Sequence, residues 1–256
     1  MFSPAQISEQ MVKIGIKKTS NKEHKTLLLA IMAGIFIALG SHAYIVVMQT
    51  MKHIDIGLMK FFGALVFPVG LMLVLIAGGE LFTGNNLITI AYFDKKISFS
   101  SLLKNWTIVY IGNFIGAVFI AGLLYLAHVY KVDATDTHMA LYVATKKMSS
   151  TFMQALIKGF LCNLVVSLSV WMAIGAKDIA GKVFIIWFPI MMFILSGYEH
   201  SVANMFFLFL AKFLGGNISI MDIFKTNLIP VTIGNILSGG VFVPFVYYVI
   251  YLKNKK

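Results

Sequence analysis

Two short polar motifs are the places where this chain could carry out chemistry, because each interrupts a long apolar stretch and contains an acid. The first is Gly-Glu-Leu-Phe-Thr-Gly-Asn at 79–85, and the second is Gly-Tyr-Glu-His-Ser at 197–201. A carboxylate in apolar surroundings is stable only when hydrogen bonds satisfy it. We therefore expect backbone amides of each motif to donate to its acid, Glu80 or Glu199, which gives both acids the structural role of holding a break in a helix.

His200 is the one histidine of six that falls within a motif. An imidazole gains or loses a proton near neutral pH, so His200 is the predicted centre of a polar pathway. Thr83, in the opposing motif, could exchange a hydrogen bond with it, and Asn163 is a further polar candidate. Asn85 and Asn204 each follow their acid by five residues. We expect these two asparagines to cap the helices that restart after the motifs.

The composition indicates that lipid surrounds the protein. Hydrophobic residues make up 59% of the 256 residues, charged residues make up 12%, and the mean hydropathy is +0.87, whereas a soluble domain averages about 25% charged residues. The 21 basic residues are all lysines that punctuate apolar runs, giving a net charge of +11. Nucleic-acid binding would need them clustered on one exposed face. The single cysteine, Cys162, excludes an intramolecular disulfide and a multi-cysteine metal site.

Six apolar stretches are long enough to cross a bilayer as helices, which takes about 20 residues each. They cover 27–49, 57–92, 102–128, 152–172, 183–214 and 226–252. The second and fifth are too long for one ordinary span and contain the two polar motifs, so we expect each of them to be a broken helix. The predicted fold is an all-α membrane protein with six spans.

The chain divides into a channel domain at 27–252 and two short flanking segments. Residues 1–26 are lysine-rich and carry apolar residues at helical spacing, which predicts an amphipathic helix on the membrane surface. With the N-terminus in the cytoplasm, 13 of the 21 lysines fall on the inner side, as the positive-inside rule favours. Six crossings then place the basic tail, 253–256, in the cytoplasm as well. The polar stretch 130–150 would be an outer loop with one short helix.

The two halves of the chain resemble each other. Ile-Gly-Asn occurs at 111–113 and again at 233–235, an offset of 122, and the two Glu-to-Asn motifs are offset by 119. A unit of three spans enters the membrane upside down in its second copy, so we expect inverted repeats with a pathway where the broken helices meet. The half-helix N-termini there favour an anion. Small residues would let the helices approach closely, and they are Gly112, Gly116, Ala117, Gly234, Ser238 and Gly239.

The two motifs, together with Asn105-Trp106, Gly112-Asn113 and the segment 227–235, resemble the signature segments of the formate/nitrite transporter family. The resemblance covers essentially the whole chain. It implies an aquaporin-like protomer in a homopentamer of the bacterial plasma membrane, with one pore per protomer. It implies transport of small monovalent anions or their conjugate acids, and neither enzyme activity nor a cofactor. Within the family the chain is most similar to the hydrosulfide-channel branch, so hydrosulfide is the expected substrate, with formate and nitrite as alternatives.

The same resemblance implies roles for individual residues. His200 and Thr83 would form the central polar site with support from Asn163. Two hydrophobic constrictions and one vestibule base are further implied, namely Phe67 with Phe193, Leu71 with Leu81, and Lys147. The expected mechanism is that Lys147 draws in a weak-acid anion, which takes up a proton and crosses the constrictions as the neutral acid.

Functions of other classes stay open at this point. A membrane redox protein would need histidine pairs on facing spans to hold haem, and His42 and His128 could both lie near the outer side. A cation or ammonia conductor would need acid rings or paired histidines at mid-membrane, where His200 is single. A formate- or nitrite-specific transporter is the alternative within the family.

Overall fold

The computed structural model describes residues 1–131 and 134–253, and every regular element in this part of the chain is helical. In chain order the α-helices are α1 (Pro4–Ser20), α2 (Glu23–Met48), α3 (Ile56–Val66), α4 (Val69–Met72), α5 (Phe82–Asn85), α6 (Thr89–Phe93), α7 (Phe99–Leu126), α8 (Thr135–Met148), α9 (Phe152–Gly175), α10 (Ile179–Leu195), α11 (Ser201–Phe213), α12 (Ile220–Asp222), α13 (Ile229–Asn235) and α14 (Val243–Tyr251). The π-helical segments are Leu73–Gly78, Ile223–Leu228 and Ile236–Phe242, and the 3₁₀ segments are Met51–His53 and Asn86–Ile88.

Five helical stretches of the described residues are long and apolar enough to cross a membrane. They are α2, Ile56–Gly78, α7, α9 and Ile220–Tyr251. The fifth crossing in chain order is divided between the shorter apolar helices α10 and α11. The prediction of an all-α fold with six spans, of which the second and fifth are broken, is therefore confirmed.

Glycine ends the first half of each broken span. Gly78 has a φ of +99° and Gly197 a φ of +70°, values that residues with a Cβ seldom adopt. The amide that follows each turn donates to a neighbouring span, in the first break to a carbonyl of α2 at 3.1 Å and in the second to a carbonyl of α9 at 3.3 Å. Protein groups thus satisfy backbone that lipid could not satisfy.

Close helix approach depends on the small residues that the sequence indicated. A Cβ added at Gly116 in α7 would overlap the carbonyl oxygen of Ile31 in α2. One added at Gly234 in α13 would overlap the carbonyl oxygen of Leu156 in α9. These two contacts join the first and third spans of each half, so the close packing predicted for these glycines is confirmed.

Each half contains one helix more than the predicted unit of three spans. α1 packs on α6 of its own half and on α9 of the other half, and α8 packs on α11 of its own half and on α2 of the other. The helix expected in the loop 130–150 is therefore a repeat of the N-terminal helix. The repeat unit consists of a short amphipathic helix followed by three spans.

The apolar face of the N-terminal helix is covered by protein, whereas the sequence had predicted that this helix lies on the membrane surface. Ile7, Met11 and Val12 are buried because α1 packs against α6, α7, α9 and α14. The helix begins at a capping box in which Ser3 and Gln6 exchange hydrogen bonds with each other's backbone amides. At the other end of the chain, residues 254–256 of the predicted basic tail lie outside the described residues.

Candidate functional site

The two breaks bring one polar pair together. His200 Nε2 lies 2.9 Å from Thr83 Oγ1, and both side chains are buried. His200 is the N-cap of α11, and Thr83 lies in the first turn of α5. Although 117 residues separate them in the chain, the restarting helices of the two halves meet at this point. The predicted juxtaposition of these residues is therefore present in the structure.

The hydrogen bonds of His200 define its tautomer. Nδ1 accepts from the backbone amide of Ala203 at 3.2 Å, so Nδ1 carries a lone pair. A neutral imidazole then has its single proton on Nε2, which donates to Thr83 Oγ1. A second proton on the ring would have to displace the Ala203 amide from Nδ1. In this structure the site presents a neutral imidazole with one N–H donor.

Two cavities open on opposite ends of the protein, and we name each after its amphipathic helix. The α8 vestibule has a volume of ≈ 470 Å³, and its lining includes Tyr44, Lys60, Lys146, Lys147, Lys158, Tyr198 and Glu199. The α1 vestibule has a volume of ≈ 170 Å³, and its lining includes Met11, Ile14, Lys18, Leu71, Leu81, Val170 and Lys182. The α8 vestibule is thus the larger cavity and contains more lysines.

Aromatic side chains separate the α8 vestibule from the polar pair. The rings of Phe67 and Phe193 meet edge to face with centroids 5.8 Å apart, and Phe193 stacks on His200 with centroids 6.1 Å apart. The ring of Tyr44, in the vestibule wall, meets the ring of Phe67 edge to face with centroids 6.3 Å apart. The two phenylalanines named for a constriction therefore lie between this cavity and the imidazole.

Leucines occupy the corresponding place toward the α1 vestibule. Leu71 and Leu81 both line that cavity, and both are almost completely buried. Leu81 precedes Thr83 by two residues and stands at the N-cap position of α5, where its side chain makes no capping hydrogen bond. Leu81 also occupies the repeat position of His200, at the offset of 119, and its φ and ψ of −100° and 127° match the −108° and 116° of His200. The two breaks thus share a backbone path and differ in the side chain at this position.

The buried acids bind side chains of their own half. Asn85 Nδ2 donates to Glu80 Oε2 at 2.6 Å, and Asn204 Nδ2 donates to Glu199 Oε2 at 2.7 Å. Two predictions are therefore wrong, since the acids do not rely on the backbone amides of the breaks and these asparagines do not cap helices. The physical reason is that amides of each break donate to groups of neighbouring spans. The carboxylates therefore accept hydrogen bonds from nearby side chains instead.

Each acid also forms an ion pair with a lysine. Lys147 Nζ lies 3.0 Å from Glu199 Oε2, and the two side chains are 15% and 6% exposed. Lys147 lines the α8 vestibule, as expected, but its charge is compensated by Glu199, whereas the implied vestibule base would act as a free cation. In the other half, Lys18 Nζ lies 2.7 Å from Glu80 Oε2. The two ion pairs are equivalent under the repeat.

Lys18 is a site residue that the sequence analysis missed. It also donates to Asn85 Oδ1 at 2.7 Å, and Asn105 Nδ2 donates to its carbonyl oxygen at 3.3 Å. Asn227 makes the same contact with the carbonyl oxygen of Lys147 at 3.0 Å. The signal available in the sequence was weak, because the pattern Lys-Lys-x-Ser occurs at 17–20 and 146–149 but also at 95–98.

Asparagines from the third and sixth spans cap the restarting helices. Asn113 Oδ1 accepts from the amide of Phe82 at 2.8 Å, and Asn235 Oδ1 accepts from the amide of Ser201 at 3.1 Å. Both asparagines belong to the internal repeat, but the repeat alone predicted no role for them. Because each cap comes from another helix, spacing along the chain could not reveal it.

Asn163 connects the two halves without a hydrogen bond to the polar pair. Its Nδ2 donates to Asn86 Oδ1 at 2.9 Å and to the carbonyl oxygen of Asn235 at 2.8 Å. Asn86 follows the short helix that carries Thr83. Asn163 therefore contacts the side chain of one neighbour of the polar site and the backbone of another, and its supporting role stays a prediction.

The histidines considered for haem have other surroundings. The His42 ring lies 2.8 Å from the hydroxyl of Tyr130 through Nδ1. His128 lies at the end of α7 in a left-handed conformation, with a φ of 50°. Among the described residues, there is no group of three or more histidine, cysteine, aspartate or glutamate side chains that could hold a metal ion.

Comparison with known proteins agrees with the geometry. The family description "Formate/nitrite transporter" matches residues 5–249. The chain is 40% identical to the uncharacterized transporter YrhG of Bacillus subtilis, covering 99% of this chain and 95% of the relative. It is 38% identical to the formate channel BtFdhC of Bacillus thuringiensis, covering 98% and 96%. A solved structure described as a pentameric formate channel with formate bound superposes with a TM-score of 0.80 at 36% identity, covering 90% of this chain and 98% of that one.

The match to the family runs through both broken spans and both amphipathic helices, and the fold agrees with that of a solved channel. The chain therefore belongs to the formate/nitrite transporter family of membrane channels and transporters.

Proposed function

We propose that this protein is a channel for the small monovalent anions of weak acids, and that formate is its main substrate. One observation carries the proposal, namely that the buried polar pair of His200 and Thr83 lies between two apolar pairs of side chains, Phe67 with Phe193 and Leu71 with Leu81. The site offers a hydrogen-bond donor to a small oxygen-bearing molecule. It has space at both ends for entry from water, through the α8 and α1 vestibules.

The apolar pairs determine the form in which the substrate crosses. Moving a bare ion from water into a dry hydrophobic constriction costs on the order of 20 kcal/mol in the idealised limit and still several kcal/mol after relaxation. A neutral molecule escapes this cost. As the dielectric falls toward Phe67 and Phe193, the pKa of a weak acid rises, so formate takes up a proton in the vestibule and passes as formic acid.

Passage as the anion is the competing mechanism, with His200 protonated as a transient counter-charge. The hydrogen bond from the Ala203 amide to Nδ1 favours neutral passage, because a doubly protonated ring would place two donors against each other. In the proposed mechanism the N–H of His200 Nε2 breaks its hydrogen bond to Thr83 Oγ1 and donates to the passing acid. Once the acid has left, the N–H donates to Thr83 Oγ1 again.

The names of the relatives support formate, since one curated relative and one solved structure are both named for it. Hydrosulfide, which the sequence analysis favoured, is the second candidate. Its conjugate acid is also neutral and is compact enough for an apolar neck. Nitrite is expected to follow the same route, because it too is the anion of a weak acid.

The proposal extends to assembly and orientation. The solved relative is described as pentameric, which supports a homopentamer with one tunnel in each protomer. The lysine distribution supports cytoplasmic termini, with residues 1–26 as a cytoplasmic segment and a multi-pass protein in the bacterial plasma membrane. The α8 vestibule then faces the outside and the α1 vestibule faces the cytoplasm.

Flux measurements in liposomes test the proposed function. Uptake of formate, nitrite, hydrosulfide and chloride is measured over a series of pH values, in parallel with current across a planar bilayer. We expect weak-acid flux that rises as the pH falls, no comparable chloride flux, and no current that tracks formate. Chloride flux equal to formate flux would overturn the substrate class, and a matching current would overturn neutral passage.

A further inference from the structure

The α8 vestibule carries four lysines in its wall, and they are Lys60, Lys146, Lys147 and Lys158. Glu199 is the one acid among the described residues that line it. The cavity therefore has an excess of positive charge at the entrance to the aromatic neck. How this charge is distributed among the lysines follows from their individual contacts.

Two of the four lysines have side-chain hydrogen-bond partners. Lys147 Nζ lies 3.0 Å from Glu199 Oε2, so an anion farther away meets no net charge from this pair. Lys158 Nζ donates to Ser150 Oγ at 2.9 Å, which holds the ammonium against the start of α9. Neither group is free to follow an incoming anion, although the neutral hydroxyl of Ser150 leaves the charge of Lys158 uncompensated.

The other two lysines are more exposed, and neither is held by an acid in the described part of the chain. Lys60, in α3, and Lys146, in α8, are exposed, and within the described residues neither forms an ion pair with an acid. Lys146 Nζ lies over the ring of Tyr142 at 5.7 Å from the centroid, a contact that leaves its charge uncompensated. The two lysines reach the same cavity from different helices.

From this arrangement we infer that Lys60 and Lys146 form the anion-recruitment site of the α8 vestibule, and that Lys147 is a positioning residue that holds Glu199 and the second break. The inference rests on the proposed function, because it names the groups that concentrate the substrate anion before it is protonated. A compact carboxylate is the ligand class, and a dicarboxylate carries one negative charge for each of the two ammonium groups.

The α1 vestibule provides an internal comparison. It is smaller, and of its two lining lysines Lys18 is paired with Glu80. Lys182 lies among mainly apolar residues of that cavity. Within the described residues, the α1 vestibule thus has one lysine without an ion pair where the α8 vestibule has three, so the larger excess of positive charge lies in the α8 vestibule.

Coulomb's law sets the expected size of the effect. A unit charge about 8 Å from the substrate in a water-like dielectric changes the local anion concentration about two- to threefold. Screening acts over about 8 Å at physiological ionic strength. Removing both charges should therefore reduce uptake about fivefold at low ionic strength and much less at high ionic strength.

The test compares Lys60→Gln, Lys146→Gln and the double variant with Lys212→Gln in proteoliposomes. Lys212 is an exposed lysine near the end of α11 that does not line the vestibule. Initial formate uptake is measured at neutral pH against ionic strength, with and without oxalate on both faces. Oxalate is a dianion that the apolar neck should exclude, so it should occupy the recruitment site and block uptake.

We expect the double variant to lose most of the salt dependence and the inhibition by oxalate, while Lys212→Gln keeps both. Each single variant should lose part of each effect. Salt dependence and oxalate inhibition that are the same in the double variant and in Lys212→Gln would overturn the inference. Failure of the proposed function would look different, because the unmodified protein would then give no formate uptake above empty liposomes.

Discussion

Lys18 and Lys147 occupy equivalent positions in the two halves of the protein, and each donates to the acid of the break in its own half. The Lys18–Glu80 distance is 2.7 Å, and the Lys147–Glu199 distance is 3.0 Å. Each lysine comes from the amphipathic helix that precedes its three spans. The N-terminal helix is therefore part of the channel scaffold, since it supplies a charge that the first break requires.

Removing the Lys18 ammonium should destabilise the protein by leaving Glu80 buried without its cation. Breaking a fully buried pair costs about 3–5 kcal/mol. Since Lys18 is 22% exposed, we expect about 2 kcal/mol for Lys18→Met. The measurement is thermal unfolding of the detergent-solubilised protein, with Lys17→Met as the control on an exposed neighbour. Adding Glu80→Gln should recover part of the loss, and equal melting of the Lys17 and Lys18 variants would contradict the pairing.

Two substitutions at His200 separate its capping role from its role in the tunnel. His200→Asn keeps a side-chain oxygen that can cap α11, whereas His200→Ala removes the cap at a cost of about 1 kcal/mol. We expect both variants to change the pH dependence or selectivity of formate flux, and the alanine variant alone to melt earlier. Unchanged flux at all pH values in both variants would remove His200 from the mechanism.

Thr83→Val keeps the shape of the side chain but removes the oxygen that accepts from His200 Nε2. An unpaired buried donor costs about 1–3 kcal/mol, so the imidazole should reorient or recruit water and formate flux should fall. Thr83→Ser retains the hydroxyl and serves as the matched control. Initial rates in liposomes distinguish the two, and equal rates for the valine and serine variants would show that the hydroxyl plays no part.

Gly234→Ala should push α13 away from α9, because its Cβ would overlap the Leu156 carbonyl oxygen. Overpacking of this kind costs about 1–3 kcal/mol. Gly122→Ala in α7 is the control, since its nearest neighbour would be Phe213 at 3.9 Å and alanine favours helix by about 0.5–1 kcal/mol over glycine. Thermal midpoints that fall for the first variant and hold or rise for the second would support the packing argument; the reverse order would refute it.

The spans, the two breaks and the meeting of His200 with Thr83 followed from the sequence, because apolar length and the glycine-rich polar motifs are local signals. The surroundings of the acids did not. Lys18 lies 62 residues from Glu80, and nothing in a single chain indicates which of 21 lysines turns inward. The capping asparagines, Asn113 and Asn235, likewise act across helices, where chain spacing carries no information.

The amphipathic pattern of α1 was visible as well, but not the partner of its apolar face. Ile7 and Met11 would be equally consistent with lipid or with protein, since both surroundings are apolar. In the structure both residues are buried, and α1 packs against α6 and α9. Recognition that α8 repeats α1 would have resolved this, because a helix that contributes a lysine to one break suggests the same role for its counterpart.

The two breaks share a backbone path, so the chemical difference between them lies in their side chains. Where one half has His200, the other has Leu81. Two identical halves would face either two imidazoles, which could share a proton or hold a metal ion, or two leucines, which would leave a passing acid without a hydrogen bond. Divergence at this pair of positions, and at Thr83 and its counterpart Val202, leaves a duplicated scaffold with a single imidazole where the two breaks meet, while its lysines, acids and asparagines remain twofold.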